Sequence, residues 1–285
     1  LKADGTAMGF RDAVVGGRAV GTPGTVALLA ELHNIHGRLP WADLFAPAIK
    51  LAEEGFTVGP RLAAMLAGPR ADILRSFPEA RAYFFPGGVS LKAGDRRTNP
   101  AFARTLKNIA AHGSKAFYEG EIAEAIVDAV RNAAPNPGKL PLSDLQAYRI
   151  IQRDPVCLPY RDYRVCGMGP PSSGGLTVGQ ILGILANFEI PENGSDDPQS
   201  WHLLNEASKL AFADRNKYIA DSDFVPVPSE GLLAPAYLTA RAGLIRRQTS
   251  IIPPVHHGTP PGVPANSAAP DTQNERPGTS HISIV

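Results

Sequence analysis

The sequence GTSHISIV, residues 278–285, joins a glycine and a threonine to a short run of alternating polar and apolar side chains. Successive side chains of a β-strand point to opposite faces, so one face carries Thr279, His281 and Ser283 while the isoleucines lie on the other. The stretch therefore predicts a core strand that presents hydroxyl and imidazole groups along one wall of a site.

A threonine directly after a glycine suits self-cleavage followed by catalysis at the new chain terminus. The Thr279 hydroxyl would attack the Gly278 carbonyl, shift the peptide to an ester, and leave water to release a free α-amino group. That amine, with a pKa of about 8, can then act as base for the hydroxyl. Gly278 tolerates the strained backbone that the attack requires. Taken alone, the octamer also fits an ordinary edge strand that follows a loop.

The composition changes abruptly before this strand. The sequence PPVHHGTPPGVPANSAAPDTQNERPG, which ends at Gly278, contains almost no aliphatic side chains and is typical of a linker. We predict a folded region over 1–250, a flexible connector over 251–278, and the start of a final strand over 279–285; these become a large subunit and the start of a small subunit if the chain is cleaved before Thr279. Such a connector would let the old C-terminus move away from a pocket.

The rest of the chain is rich in helix signals. Proline at the start and glycine at the end mark helices from Pro23 to Gly37 and from Pro100 to Gly113, and a long one runs from Pro198 toward Tyr218. Amphipathic spacing predicts two more, over 119–133 and after Gly174. Strand signals are fewer, and 148–158 with 163–168 predict a hairpin. This combination indicates an α+β fold.

The chain has two cysteines, Cys157 and Cys166, on the two predicted strands of this hairpin. A turn centred on residues 161–162 would place them directly opposite each other. A cross-strand disulfide of an exported protein and a pair of reduced thiols both fit this register.

Composition excludes several classes of protein. The 28 basic and 27 acidic side chains leave a formal net charge of +1, so no patch for nucleic acid is indicated. No apolar run approaches the roughly 20 residues that cross a bilayer.

His33 and His36 are spaced like metal ligands, but no third ligand is near in sequence, and surface placement is favoured. We predict no metal and no cofactor.

Several blocks of the chain, all in the family's order, resemble the gamma-glutamyltransferase family. They are VGGRAVGTPGTVALLAELHNIHGRLPWADLFAPAIKLAEEGF (15–56), KAFYEGEIAEAIV (115–127), DLQAYR (144–149), MGPPSSGG (168–175), KLAFADRNKYIADSDFV (209–225) and GTSHISIV (278–285). The resemblance implies the αββα sandwich of N-terminal nucleophile hydrolases, here mainly its helix-rich large-subunit part, and autocatalytic maturation into two subunits.

The resemblance also implies the chemistry and the partners. Thr279 matches the family's nucleophile, and the donor would be a γ-glutamyl compound such as glutathione, with an amino acid, a peptide or water as acceptor. A small subunit from the same precursor and a periplasmic or secreted location are implied as well. The arginine that grips the donor and the oxyanion glycines would lie outside residues 1–285, so these residues alone are expected to be inactive.

Alternatives remain open at this stage. The same scaffold serves acylases of cephalosporin or glutaryl amides, and a non-catalytic fragment would share the blocks. PPSSGG could bind an anion, but a strand-to-helix turn capped by serine is favoured. Asp214, Arg215, Tyr218 and Asp221 could form an active-site network, but a structural ion-pair face is favoured.

Overall fold

The computed structural model describes residues 4–6, 8–69 and 71–263. Its contacts divide the chain into two compact units, Leu1–Ile151 and Gln152–Val285. Within the described ranges, no helix is long and apolar enough to cross a membrane.

Helices are the main secondary structure of the first unit. It also contains a two-stranded antiparallel sheet, formed by β1 (Phe56–Thr57) and β2 (Arg96–Arg97). Single 3₁₀ turns lie at Gly17–Ala19, Trp41–Phe45 and Pro86–Gly88. Its helices are α1 (Phe10–Val14), α2 (Thr25–His36), α3 (Ala46–Glu54), α4 (Pro60–Ala67), α5 (Ala71–Arg75), α6 (Pro78–Phe84), α7 (Pro100–His112), α8 (Lys115–Tyr118), α9 (Glu121–Arg131) and α10 (Leu142–Ala147).

Local signals explain where these helices begin and end. The Asn99 side chain accepts the Phe102 N–H at 3.0 Å and caps α7, which begins at Pro100. Gly120, with φ of 69°, precedes α9 in a conformation that favours glycine. The predicted helices at 23–37, 100–113 and 119–133 are therefore confirmed, with ends shifted by one or two residues.

The second unit combines one hairpin with helices. The hairpin consists of β3 (Val156–Tyr160) and β4 (Tyr163–Gly167). The helices are α11 (Gly174–Leu185), α12 (Pro198–Tyr218), α13 (Ser229–Leu232) and α14 (Pro235–Ala242), with a 3₁₀ turn at Gly194–Asp196. Asp197 caps α12 by accepting the Gln199 N–H at 2.7 Å, so the predicted helix from Pro198 to Tyr218 is confirmed.

The hairpin has the predicted register but a shorter first strand. Cys157 pairs with Cys166 across the ladder, and the two form a disulfide with a Cα–Cα distance of 4.1 Å. Arg161 turns the chain with φ of 52°. The predicted strand start at 148 is wrong, because the ladder begins only after Pro155, whose nitrogen has no hydrogen to donate.

Apolar packing joins α11, α12 and α14 into the core of this unit. Leu203, Ala207 and Leu210 of α12 are at most 1% exposed and pack against Ile184 of α11 and Leu238 of α14. Two glycines of α11, Gly179 and Gly183, leave room for leucine side chains of neighbouring elements. This three-helix core supports the polar groups described next.

Candidate anchoring site beside the connector

The residues predicted to carry catalysis, Gly278, Thr279, His281 and Ser283, lie outside the described residues. The structure does describe the segment that leads toward them, up to residue 263. It also describes the PPSSGG loop and the polar cluster on α12. The candidate site is therefore built from the contacts that this segment makes with α11, α12 and α14.

Asp214 of α12 is the centre of a buried polar network. Its carboxylate is fully buried. Oδ2 accepts the Gln180 amide at 2.9 Å and the Tyr237 hydroxyl at 2.7 Å. Oδ1 accepts the backbone N–H of Gly258 at 2.8 Å and pairs with Arg241 Nη2 at 3.2 Å. Both oxygens are thus occupied by donors from α11, α14 and the segment after α14.

Arg241 of α14 extends the network to the backbone. Its Nη2 donates to the Leu210 carbonyl at 3.1 Å and to the His256 carbonyl at 3.0 Å. The side chain is 5% exposed, so its charge is balanced inside the protein by Asp214. A buried charge without a partner costs several kcal/mol, which makes the pair mutually dependent.

Gly258 fits a space that no larger residue would fit. A Cβ at this position would lie 2.3 Å from the Tyr237 hydroxyl oxygen. The Gly258 carbonyl accepts the Tyr218 hydroxyl at 2.6 Å, and the His257 ring contacts the Tyr218 ring edge to face. Segment 256–258 is therefore held by hydrogen bonds to a backbone N–H group and to its backbone carbonyls.

A second contact fixes the same segment a few residues earlier. Glu206 is 1% exposed and accepts the Ile251 N–H at 2.7 Å and the Lys209 ammonium at 2.6 Å. Burial acts to raise the pKa of Glu206, but the hydrogen bonds from Lys209 and Ile251 outweigh it, so the pKa is lowered. Glu206 is thus held as a carboxylate that ties residue 251 to α12.

The PPSSGG loop forms the turn from β4 into α11, which agrees with the structural interpretation. The serine hydroxyl that accepts a backbone N–H at the start of α11 is not that of the residue directly before the helix. Ser173 makes no capping bond, and its hydroxyl accepts Arg215 Nε at 3.1 Å. Ser172 accepts the Gly174 N–H at 3.4 Å instead.

This geometry anchors the chain and leaves Asp214 without a catalytic role. A general base needs a free lone pair directed at a substrate, and the oxygens of Asp214 already accept four donors. Burial and then Asp214 raise the pKa of Tyr237, and the same two causes raise the pKa of Tyr218, so both phenols stay protonated as donors. Among the described residues no group of three His, Cys, Asp or Glu could hold a metal.

The favoured structural interpretation of Asp214, Arg215, Tyr218 and Asp221 needs one correction. They do not form an ion-pair face along one helix, because the charged partner of Asp214 comes from α14. Sequence reasoning missed Gln180, Arg241 and Gly258. Gln180 gave a signal, being the one amide within the apolar run LTVGQILGIL, whereas nothing local marked Arg241 or Gly258.

Comparison with known proteins places this chain in a family. Residues 2–285 match the gamma-glutamyltranspeptidase family. The chain is 38% identical over 227 residues to the glutathione hydrolase proenzyme of Escherichia coli (strain K12), which covers 80% of this chain and 39% of that protein. It is 40% identical to the acylase ACY 1 proenzyme of Pseudomonas sp. (strain V22), covering 82% of this chain and 41% of that protein.

A solved structure agrees with these sequence matches. The gamma-glutamyltranspeptidase of Helicobacter pylori aligns with a TM-score of 0.82 at 33% identity, over 88% of this chain and 71% of that chain. The chain belongs to the gamma-glutamyltranspeptidase family. The resemblance and the α+β fold class of N-terminal nucleophile hydrolases are confirmed. The chain spans about two fifths of the length of these curated relatives.

Proposed function

We propose that the protein is a self-processing gamma-glutamyltransferase and hydrolase with Thr279 as its nucleophile. The observation that supports this most is the family match, which runs through residue 285 and includes the Gly278–Thr279 pair. His281 and Ser283 share the strand face of Thr279 and line the proposed active site. The anchor at Gly258 supports the proposal because it gives the connector a fixed origin on the large subunit.

Maturation follows from the chemistry of threonine after glycine. The Thr279 hydroxyl attacks the Gly278 carbonyl, its proton passes to the Thr279 nitrogen, and the C–N bond then breaks to leave an ester and a free amine. Water hydrolyses the ester and releases a carboxylate on Gly278. The products are two subunits, one of which begins with the Thr279 α-amino group.

Turnover uses the same hydroxyl a second time. The α-amino group of Thr279 takes the hydroxyl proton as the oxygen attacks the γ-carbonyl of a donor such as glutathione. The amine of the donor leaves with that proton, and the γ-glutamyl group remains as an ester. Water, an amino acid or a peptide then takes the γ-glutamyl group. No cofactor takes part.

The partners and the compartment belong to the same proposal. The partner is a small subunit from the same precursor, which the proenzyme names of the relatives support. A periplasmic or secreted location is supported by the Cys157–Cys166 disulfide, since such bonds persist in oxidising compartments.

The intact mass of the precursor tests the nucleophile. We expect the precursor to break between residues 278 and 279, and Thr279→Ala to remain one chain without γ-glutamyl anilide hydrolysis. Ser280→Ala is the matched control, because it removes the adjacent hydroxyl and should process normally. A break between 279 and 280, or normal processing of Thr279→Ala, contradicts the assignment.

An acylase of cephalosporin or glutaryl amides is the second candidate, favoured by the 40% identity to the acylase ACY 1 proenzyme. Both activities use the same threonine ester, so processing does not separate them. Parallel assays of the mature protein with a γ-glutamyl anilide and a glutaryl amide do. Release from the glutaryl amide alone would assign the protein as an acylase instead of a transferase. Release from neither substrate would support a non-catalytic fragment.

A further inference from the structure

The β3–β4 hairpin has two different faces. The inner face carries Leu158, which is 6% exposed and lies against α11 near Gly179 and Gly183. The outer face carries both cysteines together with Pro159 and Arg164. On this outer face Cys166 is exposed and Cys157 is half-buried. The disulfide therefore lies on the solvent side of the hairpin, outside the apolar core.

Opening this bond would leave the contacts of the inner face in place. The backbone ladder still pairs Val156 with Gly167, and the Gly175 N–H still donates to the Met168 carbonyl at 3.2 Å. Gly167 and Gly175 approach so closely that a Cβ at Gly167 would lie 2.7 Å from the Gly175 Cα. These contacts do not involve the sulfur atoms, so the sulfurs can react while the hairpin stays folded.

A positively charged residue lies on the same face of β4 as Cys166. Arg164 lies two residues before Cys166 on the same face of β4 and is exposed. Within the described ranges no hydrogen bond or ion pair is seen for its guanidinium. A cation at this place raises the local concentration of anions. Small thiols that carry carboxylates are therefore favoured over neutral thiols.

We propose that Cys157–Cys166 is a thiol-exchange site at which an anionic small thiol such as glutathione attacks Sγ of Cys166. The thiol first loses its proton to solvent. The thiolate forms a new S–S bond to Cys166 as the Cys157–Cys166 bond breaks, and Cys157 leaves as a thiolate that takes a proton from water. One disulfide replaces another, so no oxidant or reductant is consumed.

The exposed sulfur is the point of attack for a geometric reason. The incoming thiolate must approach along the S–S axis from the side opposite the leaving sulfur, and solvent reaches Cys166 more freely than Cys157. The Cα atoms of the two cysteines are 4.1 Å apart, so the released Cys157 can attack the mixed disulfide and close the bond again. The modification is therefore reversible.

The choice of glutathione as the natural thiol rests on the proposed function, whereas the exchange itself needs no turnover. The test therefore uses the full-length Thr279→Ala precursor beside the processed wild-type protein. If the proposed function fails, the wild type does not hydrolyse a γ-glutamyl donor, but exchange is still measurable. If the exchange site fails, processing and hydrolysis are unaffected.

The experiment incubates folded protein with reduced glutathione, quenches with excess N-ethylmaleimide at neutral pH, which alkylates the remaining glutathione and any free cysteine, and maps both labels by mass. We expect glutathione on Cys166 and maleimide on Cys157, with an unchanged far-UV circular dichroism spectrum. Absence of an adduct on the folded protein, or an adduct that forms first on Cys157, would overturn the proposal.

Matched variants test the role of the cation. Arg164→Gln should slow the reaction with glutathione roughly two- to fivefold, as expected for an exposed charge, and leave the rate with neutral 2-mercaptoethanol unchanged. Arg161→Gln removes an equal charge from the turn and should change the glutathione rate less. An equal slowing of both thiols by Arg164→Gln would mean that the charge does not select anionic thiols.

Discussion

Asp214 shows at the scale of a single residue how one carboxylate joins its own helix to three other parts of the chain. Its donors come from α11, from α14 and from Gly258, and only the folded chain brings them together. No spacing along α12 indicates such partners. A buried acid with every lone pair in use supports structure, and its removal should be measured as stability.

Replacing Asp214 by asparagine should lower the free energy of unfolding by about 3–5 kcal/mol, because Arg241 would keep a buried and unbalanced charge. Asp223→Asn is the matched control. Asp223 pairs with Arg153 at the surface, where it is 51% exposed, and its loss should cost at most about 1 kcal/mol. Urea unfolding of the full-length protein measures both, and equal costs would contradict the structural role of Asp214.

Gly258→Ala should disturb the anchor, since the new methyl group would overlap the Tyr237 hydroxyl. We expect a loss of about 1–3 kcal/mol and faster proteolysis within 251–263. Gly243→Ala is the control, because its Cβ would lie 3.4 Å from the nearest atom, an ordinary contact. Fragment mapping after a brief protease digest distinguishes the two, and a protected 251–263 segment in Gly258→Ala would count against the anchor.

The bond between Glu206 and Ile251 should make stability depend on pH. The folded-state pKa of Glu206 is lowered below its ordinary value of 4.5, so its contribution is present above about pH 4.5 and is lost as the pH falls through the lower folded value. Glu206→Gln should therefore flatten the decline of stability below pH 5. Lys209→Met, which removes a donor, should flatten it in part. Urea midpoints between pH 6 and 3 measure the slope, and unchanged slopes in both variants would refute this assignment.

At the scale of the element, the β3–β4 hairpin shows which features local sequence determines. Its turn and its cysteine register were predictable, because a two-residue turn sets the pairing of every residue beyond it. The strand start at 148 was not, because pairing depends on a partner strand, and within the described residues the ladder with β4 begins only at Val156, after Pro155. The helix starts at Pro100 and Pro198 were also predictable, because the capping residue and the proline that mark each start are adjacent in the sequence.

The disulfide should stabilise this hairpin without being required for its fold. Its cysteines are nine positions apart in sequence, and closing so short a loop contributes about 2–3 kcal/mol. A Cys157→Ser and Cys166→Ser double variant should lose up to that amount and keep its helix content. Measurement in dithiothreitol is the control, because wild type and variant should then agree. A difference that persists in reductant would assign the loss to packing instead.

At the scale of the whole molecule, the family was predictable and the anchoring network was not. Six blocks of sequence, in the same order as in the family, identified the family, because the order of blocks can be read directly from the sequence. The network around Asp214 depends on contacts between residues up to 44 positions apart, which no local pattern records. The assignments of Gly278, Thr279, His281 and Ser283 remain predictions, since these residues lie outside the described part.

The docking of residues 251–258 has a practical consequence for anyone who shortens this protein. A boundary at 250 looks natural in the sequence because the composition changes there, yet it would remove the Ile251 N–H from Glu206, the His256 carbonyl from Arg241 and the Gly258 N–H from Asp214. A trimmed version should therefore end no earlier than residue 263, so that the two buried acids and the arginine keep these backbone hydrogen-bond partners.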